Sequence, residues 1–311
     1  MSENLPVKKS EILFLYESTY SIPNGDPFTG EQRYDDETKK ILVSDVRITR
    51  FIRDYFVDRG DEDIFVVNDK SALEDEGKKL KGSGAALRML TLKKKYTDDS
   101  VKVNDKISAV KIMQKCIDVR LFGGISTEGG DAVNLTGAVQ FALLNPSLNS
   151  VDLRIHQNTS VFSSSEEKSR GAIGTTTVVP YSVNQIHGWI NPYSAKHTGL
   201  TENDVQKMFK ALWESINNAN TRTKSNQNSL LLLQIVYSEP TKKLYGIDRS
   251  IKLETEKRGE QIRNSDDYTL DLSDFSKSIN DDAVSAVNFY TEKSSLEKQI
   301  SDLPKFAKMN W

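Results

Sequence analysis

Cysteine, histidine and long apolar runs are scarce in this chain, and each shortage removes a class of function. There is one cysteine, Cys116, in 311 residues. That excludes an internal disulfide and any cysteine-rich metal site, and it assigns Cys116 to small buried packing. The three histidines, His156, His187 and His197, show no HxxH spacing, and no HExxH, Walker or GxGxxG element occurs. Runs such as Leu230 to Leu233 are far too short to cross a bilayer, and the first residues hold no apolar signal core. A cytoplasmic location and no membrane partner are therefore expected. A large excess of one charge is missing too: the formal net charge of −2 argues against an indiscriminately basic nucleic-acid binder.

The remaining composition, 37% hydrophobic and 28% charged, is that of a globular chain long enough to bury a real core. Its charges come in blocks. Residues 57 to 76 hold eight acids against Arg59 and Lys70, and residues 78 to 95 hold seven bases and no acid. Such blocks either place one sign of charge on one surface or partly neutralise each other.

The stretch from Ser21 to Tyr55 organises the rest. Its first part, Ser21-Ile22-Pro23-Asn24-Gly25-Asp26-Pro27, follows the apolar run Ile12 to Tyr16, which reads as a strand. Pro23 fixes its own φ and biases Ile22 to an extended conformation. Asn24-Gly25 tolerates positive φ, which predicts the turn there. The result is a rigid bend where another molecule's backbone could come close; an ordinary strand-terminating turn has the same composition. Its second part is a helix. Ile48, Phe51, Ile52, Tyr55 and Phe56 make one apolar face, Ser44 is the expected N-cap, and Asp45 suits the positive end of the dipole. Arg47, Arg50 and Arg53 lie three apart beside that face. A basic row near a helix N-terminus suits phosphate, although such rows are also solvated faces with local ion pairs.

Further along, residues 60–105 read as a charged helical insertion and Ile107 to Cys116 as helical. Asp118 to Phe122 leads to a bend at Gly123-Gly124 that permits close backbone approach. Val133 to Leu144 reads as a strand. Residues 157–177 are poor in apolar side chains and flanked by strand-like sequence, which predicts a long hairpin excursion or a surface loop. Thr201 and Asp204 form a capping box ahead of an apolar face from Val205 to Ile216. The polar segment Asn217 to Asn228 carries Arg222 and Lys224, and Leu230 to Tyr237 reads as a buried central strand. Further strands are expected around Lys243 to Leu253. Together these elements predict an α+β, ferredoxin-like (RRM-like) split βαβ sheet with large insertions. Its palm would be residues 1–59 and 106–253, with 254–311 packing on it as a C-terminal extension.

Several motifs in this order resemble one family. They are the Ser-x-Pro-Asn-Gly-Asp-Pro loop, Leu42 to Arg47, Ile52 to Tyr55, Asp118 to Gly123, and Leu135 to Phe141. Gly171 to Gly174 then leads to Val179-Pro180-Tyr181 and His187 to Pro192. The chain resembles Cas7, the CRISPR-associated backbone subunit of type I surveillance (Cascade) complexes, with the match nearest its I-B and I-C branches. The resemblance implies an RNA-binding subunit that polymerises head to tail along a CRISPR guide RNA and presents it for pairing with target DNA. Further implied partners are other Cascade subunits, including the guide 5'-end subunit and the large subunit. It implies phosphate contacts from Arg33, Arg47, Arg50, Arg53, Arg120, Arg170, Arg222 and Lys224. Asn24, Gly25, Ser44, Phe122, Gly123, Gly124 and Gln140 would approach the RNA. Residues 157–177 become a thumb, with Ser165, Gly171, Ile173, Gly174 and Thr176 interrupting base stacking, and residues 60–105 a finger. No catalytic residue, metal or cofactor is implied. Two other readings stay open. One is a metal-dependent ribonuclease of the type III backbone kind, acting through Asp26. The other is an oligomeric scaffold without RNA.

Overall fold

The computed structural model describes residues 5–67, 84–96, 106–127, 132–159, 173–301 and 303–311. In chain order the elements are β1 (Ser10–Ser21), β2 (Tyr34–Asp35), β3 (Lys40–Ser44), α1 (Asp45–Arg59), α2 (Gly84–Tyr96), α3 (Lys106–Met113) and α4 (Ile117–Phe122). Then come β4 (Gly123–Ser126), β5 (Val133–Thr136), β6 (Val139–Phe141), β7 (Leu144–Pro146), β8 (Arg154–Thr159), β9 (Ile173–Ile190), α5 (Pro192–Thr198), α6 (Glu202–Asn217) and β10 (Gln227–Tyr237). The last part holds β11 (Lys252–Glu254), β12 (Thr269–Asp271), α7 (Ser273–Ile279), β13 (Val284–Tyr290), α8 (Ser294–Ser301) and β14 (Phe306–Lys308).

β1 is central because its sequence is apolar on both faces: residues 10 to 16 are all buried. The main sheet has the order β14-β13-β10-β1-β9-β6, with β8 also paired to β9. Only β13 and β14 pair in parallel, so the sheet is mixed. Phe14, Tyr16 and Ile186 face α1 and α6 and build a core with Ile48, Ile52, Phe209, Leu212 and Trp213. Leu13, Leu15, Val183 and Leu233 face the other way, onto Ile251, Leu272, Phe275 and Ile279. The helices form for local reasons. Ser44 Oγ caps α1 by accepting from Arg47 N, and Gly60 closes it in the left-handed region at φ 68°. Thr201 and Asp204 form the reciprocal capping box of α6.

Three local expectations are corrected. Val133 to Leu144 is not one strand. It divides into β5, paired with β4 outside the main sheet, then β6, then the start of β7. The division falls at Gly137, where a Cβ would sit 2.2 Å from the Phe122 carbonyl carbon. Lys243 to Leu253 holds a 3-10 turn at Ile247–Arg249 before the short β11, not a pair of strands. The expected positive φ at Asn24-Gly25 lies instead at Gly30, φ +72°. Residues 254–311 do more than pack on the sheet, because β13 and β14 extend it beyond β10.

Candidate nucleic-acid interface

The loop after β1 is held by side chains that bond to one another and to its backbone, with the buried Arg33 Nε left without a partner. Asn24 is buried; its backbone N–H donates to Gln32 Oε1 at 2.9 Å and its Oδ1 accepts from Ser44 N at 2.6 Å. Asn24 thus ties the loop to the N-terminus of α1. Asp26 Oδ1 accepts from the backbone of Phe28 (2.9 Å) and Thr29 (3.3 Å), and Arg33 pairs with Oδ2 at 3.1 Å. The Phe28 N–H bond leads in holding Asp26 below the usual carboxylate range, and Arg33 adds to it. With the loop fixed this way, Phe28 is 96% exposed.

Beside the loop lies a cleft of about 510 Å³ between α1 and the end of α6, lined by Arg47, Phe51, Tyr55, Asn218, Thr221 and Lys224 among others. The Arg47 guanidinium stacks on Phe51, 3.7 Å from the ring centroid, and its buried Nε has no hydrogen-bond partner. Burial lowers its pKa. Lys224 Nζ donates to the Ile22 carbonyl and, at 3.5 Å, to Thr223 Oγ1. Burial first, and then the Arg47 charge, push its pKa down to about 8. Among the described residues neither cation has a carboxylate in ion-pair range. Tyr16 OH, fully buried and within the field of Arg47, also lacks a partner. Asp54 and Asp58 line the outer cleft, where Asp54 is engaged by Arg50 at 2.5 Å. The arrangement is two half-buried cations at the foot of a rigid loop, which an anion would satisfy.

A second, smaller cleft of about 230 Å³ adjoins the first across Thr221 to Lys224. It is lined by Tyr20, Ile22, His156, Thr176, Val178 and Arg222, so it reaches the base of the β8–β9 hairpin. There His156 pairs with Thr176 and Asn158 with Gly174. Arg222 is exposed and makes no ion pair among the described residues.

The expected contacts therefore divide. Asn24, Gly25, Arg33, Ser44, Arg47, Arg222, Lys224 and Thr176 cluster at this end of the sheet. Arg50 is on the cleft's flank and is paired. The others are engaged elsewhere. Arg53 Nε binds Asp118 Oδ2 at 3.1 Å, and its guanidinium covers the Phe122 ring at 5.1 Å. Arg120 holds both oxygens of Asp204 at 3.0 and 2.7 Å, and also the Gln114 and Lys115 carbonyls. Gly123, φ +78°, makes its close approach to its own chain: a Cβ there would lie 2.1 Å from Leu135 O. Gly124 faces Met113 and Val119. Gln140 is exposed and donates to Gly137 O at 3.3 Å. Ser165, Arg170 and Gly171 lie outside the described residues, as does the Ile173 side chain; Gly174 is exposed. Tyr16 and Tyr55, which the sequence reading passed over as apolar face, line or underlie the cleft. Only Tyr55 carried a signal in the sequence, Arg59 four residues on along the same helix; Tyr16 meets Arg47 only through tertiary folding.

Fold and site together define an α+β protein with a central mixed sheet and a cation-lined cleft at one sheet end. Comparison with known proteins narrows this. The family model "CRISPR-associated protein Cas7" matches residues 8–273. A Haloferax volcanii protein described as "CRISPR-associated protein Cas7" is 26% identical over 294 residues, covering 88% of this chain and 83% of that protein. A chain of a solved "CRISPR RNA-guided surveillance complex, pre-nicking" is similar in fold with a TM-score of 0.55 at 14% identity, covering 97% of this chain and 96% of that one. A second, from a "CRISPR RNA-guided surveillance complex", has a TM-score of 0.55 at 13% identity and covers 97% and 95%. The chain belongs to the Cas7 family of CRISPR-associated proteins.

Proposed function

We propose that this chain binds a CRISPR guide RNA along the loop end of its sheet as a non-catalytic subunit that stacks head to tail with further copies of itself. The observation that carries the site is the pair Arg47 and Lys224, half-buried cations without carboxylate partners among the described residues at the foot of the loop. Phosphates would replace the missing counter-charge, an interaction that is salt-sensitive and indifferent to sequence. From there the strand would pass Arg222 to the base of the β8–β9 hairpin, which acts as the thumb and interrupts the base stack. Bases between thumbs pair with target DNA, so specificity resides in the RNA. α2, anchored through Arg88 and Lys95 on Asp63, belongs to the finger insertion. The I-B/I-C assignment, the guide 5'-end subunit and the large subunit as partners, and a cytoplasmic location follow from the same reading. The ribonuclease alternative gains nothing from Asp26, whose oxygens serve Phe28, Thr29 and Arg33.

The test is to purify the protein from cells that carry a CRISPR array, extract its nucleic acid and sequence it. Short RNAs with a common repeat-derived end and variable interiors are expected. Arg47→Ala with Lys224→Ala should lower RNA per folded protein by about tenfold or more. A folded, oligomeric sample free of RNA would overturn the reading in favour of the scaffold.

A further inference from the structure

The far end of the same sheet carries a second cationic surface. β1 and β9 run antiparallel with Ser21 opposite Val179 and Glu11 opposite Trp189. At about 3.3 Å per residue the two ends are roughly 30 Å apart. At this far end Glu11 is fully buried, and its carboxylate is engaged by His187 Nε2 at 2.7 Å and by Tyr237 OH at 2.8 Å. The lysines around it are left without an ion pair among the described residues. Lys9 Nζ stands 5.7 Å from the Tyr237 ring centroid, and Lys243 Nζ stands 5.7 Å from that of Trp189. Burial lowers the pKa of Lys9, and repulsion from Lys243 lowers it further against the pull of Glu11.

Aromatic surface is interleaved with these cations. Tyr245 is 94% exposed, and the Arg249 guanidinium lies 5.2 Å from its ring centroid. Arg249 also lines a groove of about 520 Å³ that begins at His187, and Gln185, on the groove wall, has a buried side-chain oxygen with no hydrogen-bond partner. Of these rings Tyr245 is exposed, Trp189 half-buried and Tyr237 buried, so the surface offers one free ring face beside its cations, the combination in which phosphates meet lysine and a base stacks on an aromatic. An acidic peptide would use the lysines but has no use for the Tyr245 face.

We propose that this surface is a second nucleic-acid contact, taking a single strand through phosphates at Lys9 and Lys243 and a base at Tyr245. It stands independently of the guide-RNA reading.

The experiment measures anisotropy of a fluorescein-labelled oligodeoxythymidine of about 15 nucleotides. It uses the full-length protein as purified, across about 50–200 mM salt. Tyr245→Ala should weaken binding by at least about fivefold. Lys9→Ala with Lys243→Ala should reduce the slope of log K against log salt by about 1.4, one phosphate per lysine. Neither variant should change the RNA that copurifies, and polyglutamate should compete poorly. Three results would overturn the proposal: no binding to folded protein, binding lost in Arg47→Ala but not in the two far-end variants, or equal competition by polyglutamate with no effect of Tyr245→Ala. Because Tyr245 and Lys243 are exposed, their replacement leaves the fold intact, which a melting curve verifies.

Discussion

Arg47 and Arg53 sit on one helix, six residues apart, and the structure predicts opposite phenotypes for them. Arg53 is 15% exposed and pairs with Asp118, whose side chain is 1% exposed. Breaking a buried pair by removing one partner costs about 3–5 kcal/mol. Asp118 would keep two backbone donors, Phe65 N at 2.7 Å and Val66 N at 3.0 Å, which brings the expected cost to the lower end, about 3 kcal/mol. The lost contact with Phe122 is included in that figure. An unfolding entropy of about 2.1 cal/mol/K per residue gives this chain about 0.65 kcal/mol per kelvin, so Arg53→Ala should lower Tm by about 5 °C. Arg47 has no such partner, and removing an uncompensated half-buried charge while losing its stacking on Phe51 should leave stability within about 1 kcal/mol. Its loss should appear instead in the RNA retained per folded molecule. Differential scanning fluorimetry and the absorbance ratio of the purified protein separate the two effects. Arg53→Ala with a Tm within about 1 °C of the parent, or stripped of RNA at unchanged Tm while Arg47→Ala is not, would refute this division of roles.

Lys224 should make RNA affinity pH-dependent. Its folded pKa, pushed down to about 8 from 10.5 by burial first and then by the Arg47 charge, means that binding a phosphate takes up a proton above that pH. Affinity should therefore fall as pH rises past about 8, and Lys224→Arg, which stays charged, should flatten the profile in an RNA-binding titration. For stability the sign is reversed. The unfolded chain holds this proton more tightly, so the destabilisation from burying Lys224 is present at neutral pH and relieved between about 8 and 10.5. Gly123→Ala forces a Cβ to within 2.1 Å of Leu135 O at φ +78°, so it should destabilise by more than about 3 kcal/mol, read as loss of soluble protein or a large fall in Tm. Asn24→Ala removes the acceptor of Ser44 N and should cost about 1–3 kcal/mol, with Asn24→Asp recovering part of it in the same melting assay.

Much of the frame was legible because periodicity and capping are local. Ser44, Thr201 and Asp204 stood where a helix start requires them, and the apolar period of Val205 to Ile216 was unbroken. What was not legible depends on partners distant in sequence. The row Arg47, Arg50, Arg53 is uniform in spacing, but Asp118, 65 residues away, claims the third arginine, and Asp204, 84 residues from Arg120, claims that one. Gly123 read as open backbone because the chain segment it touches, Leu135 to Gly137, returns only through tertiary folding. The motif residues lay in the right order, yet order does not tell an arginine that builds the platform from one that faces the ligand.

That distinction also resolves how a chain of net charge −2 could hold a polyanion. Net charge sets long-range attraction, but a phosphate responds to the local potential of cations whose charge is not already answered. Arg53 and Arg120 are answered by buried aspartates, and Arg33 and Arg50 by carboxylates at 3.1 and 2.5 Å. Arg47 and Lys224 are not, and both are desolvated, where a unit charge interacts more strongly than at the surface. The loop supplies the remaining condition. It lends Lys224 only the neutral Ile22 carbonyl, while its carboxylate at Asp26 is held by Phe28, Thr29 and Arg33, so it brings the two cations no counter-charge. A site of this construction stays short of negative charge until a ligand brings it, which is the electrostatic requirement for binding RNA on a chain that is otherwise slightly acidic.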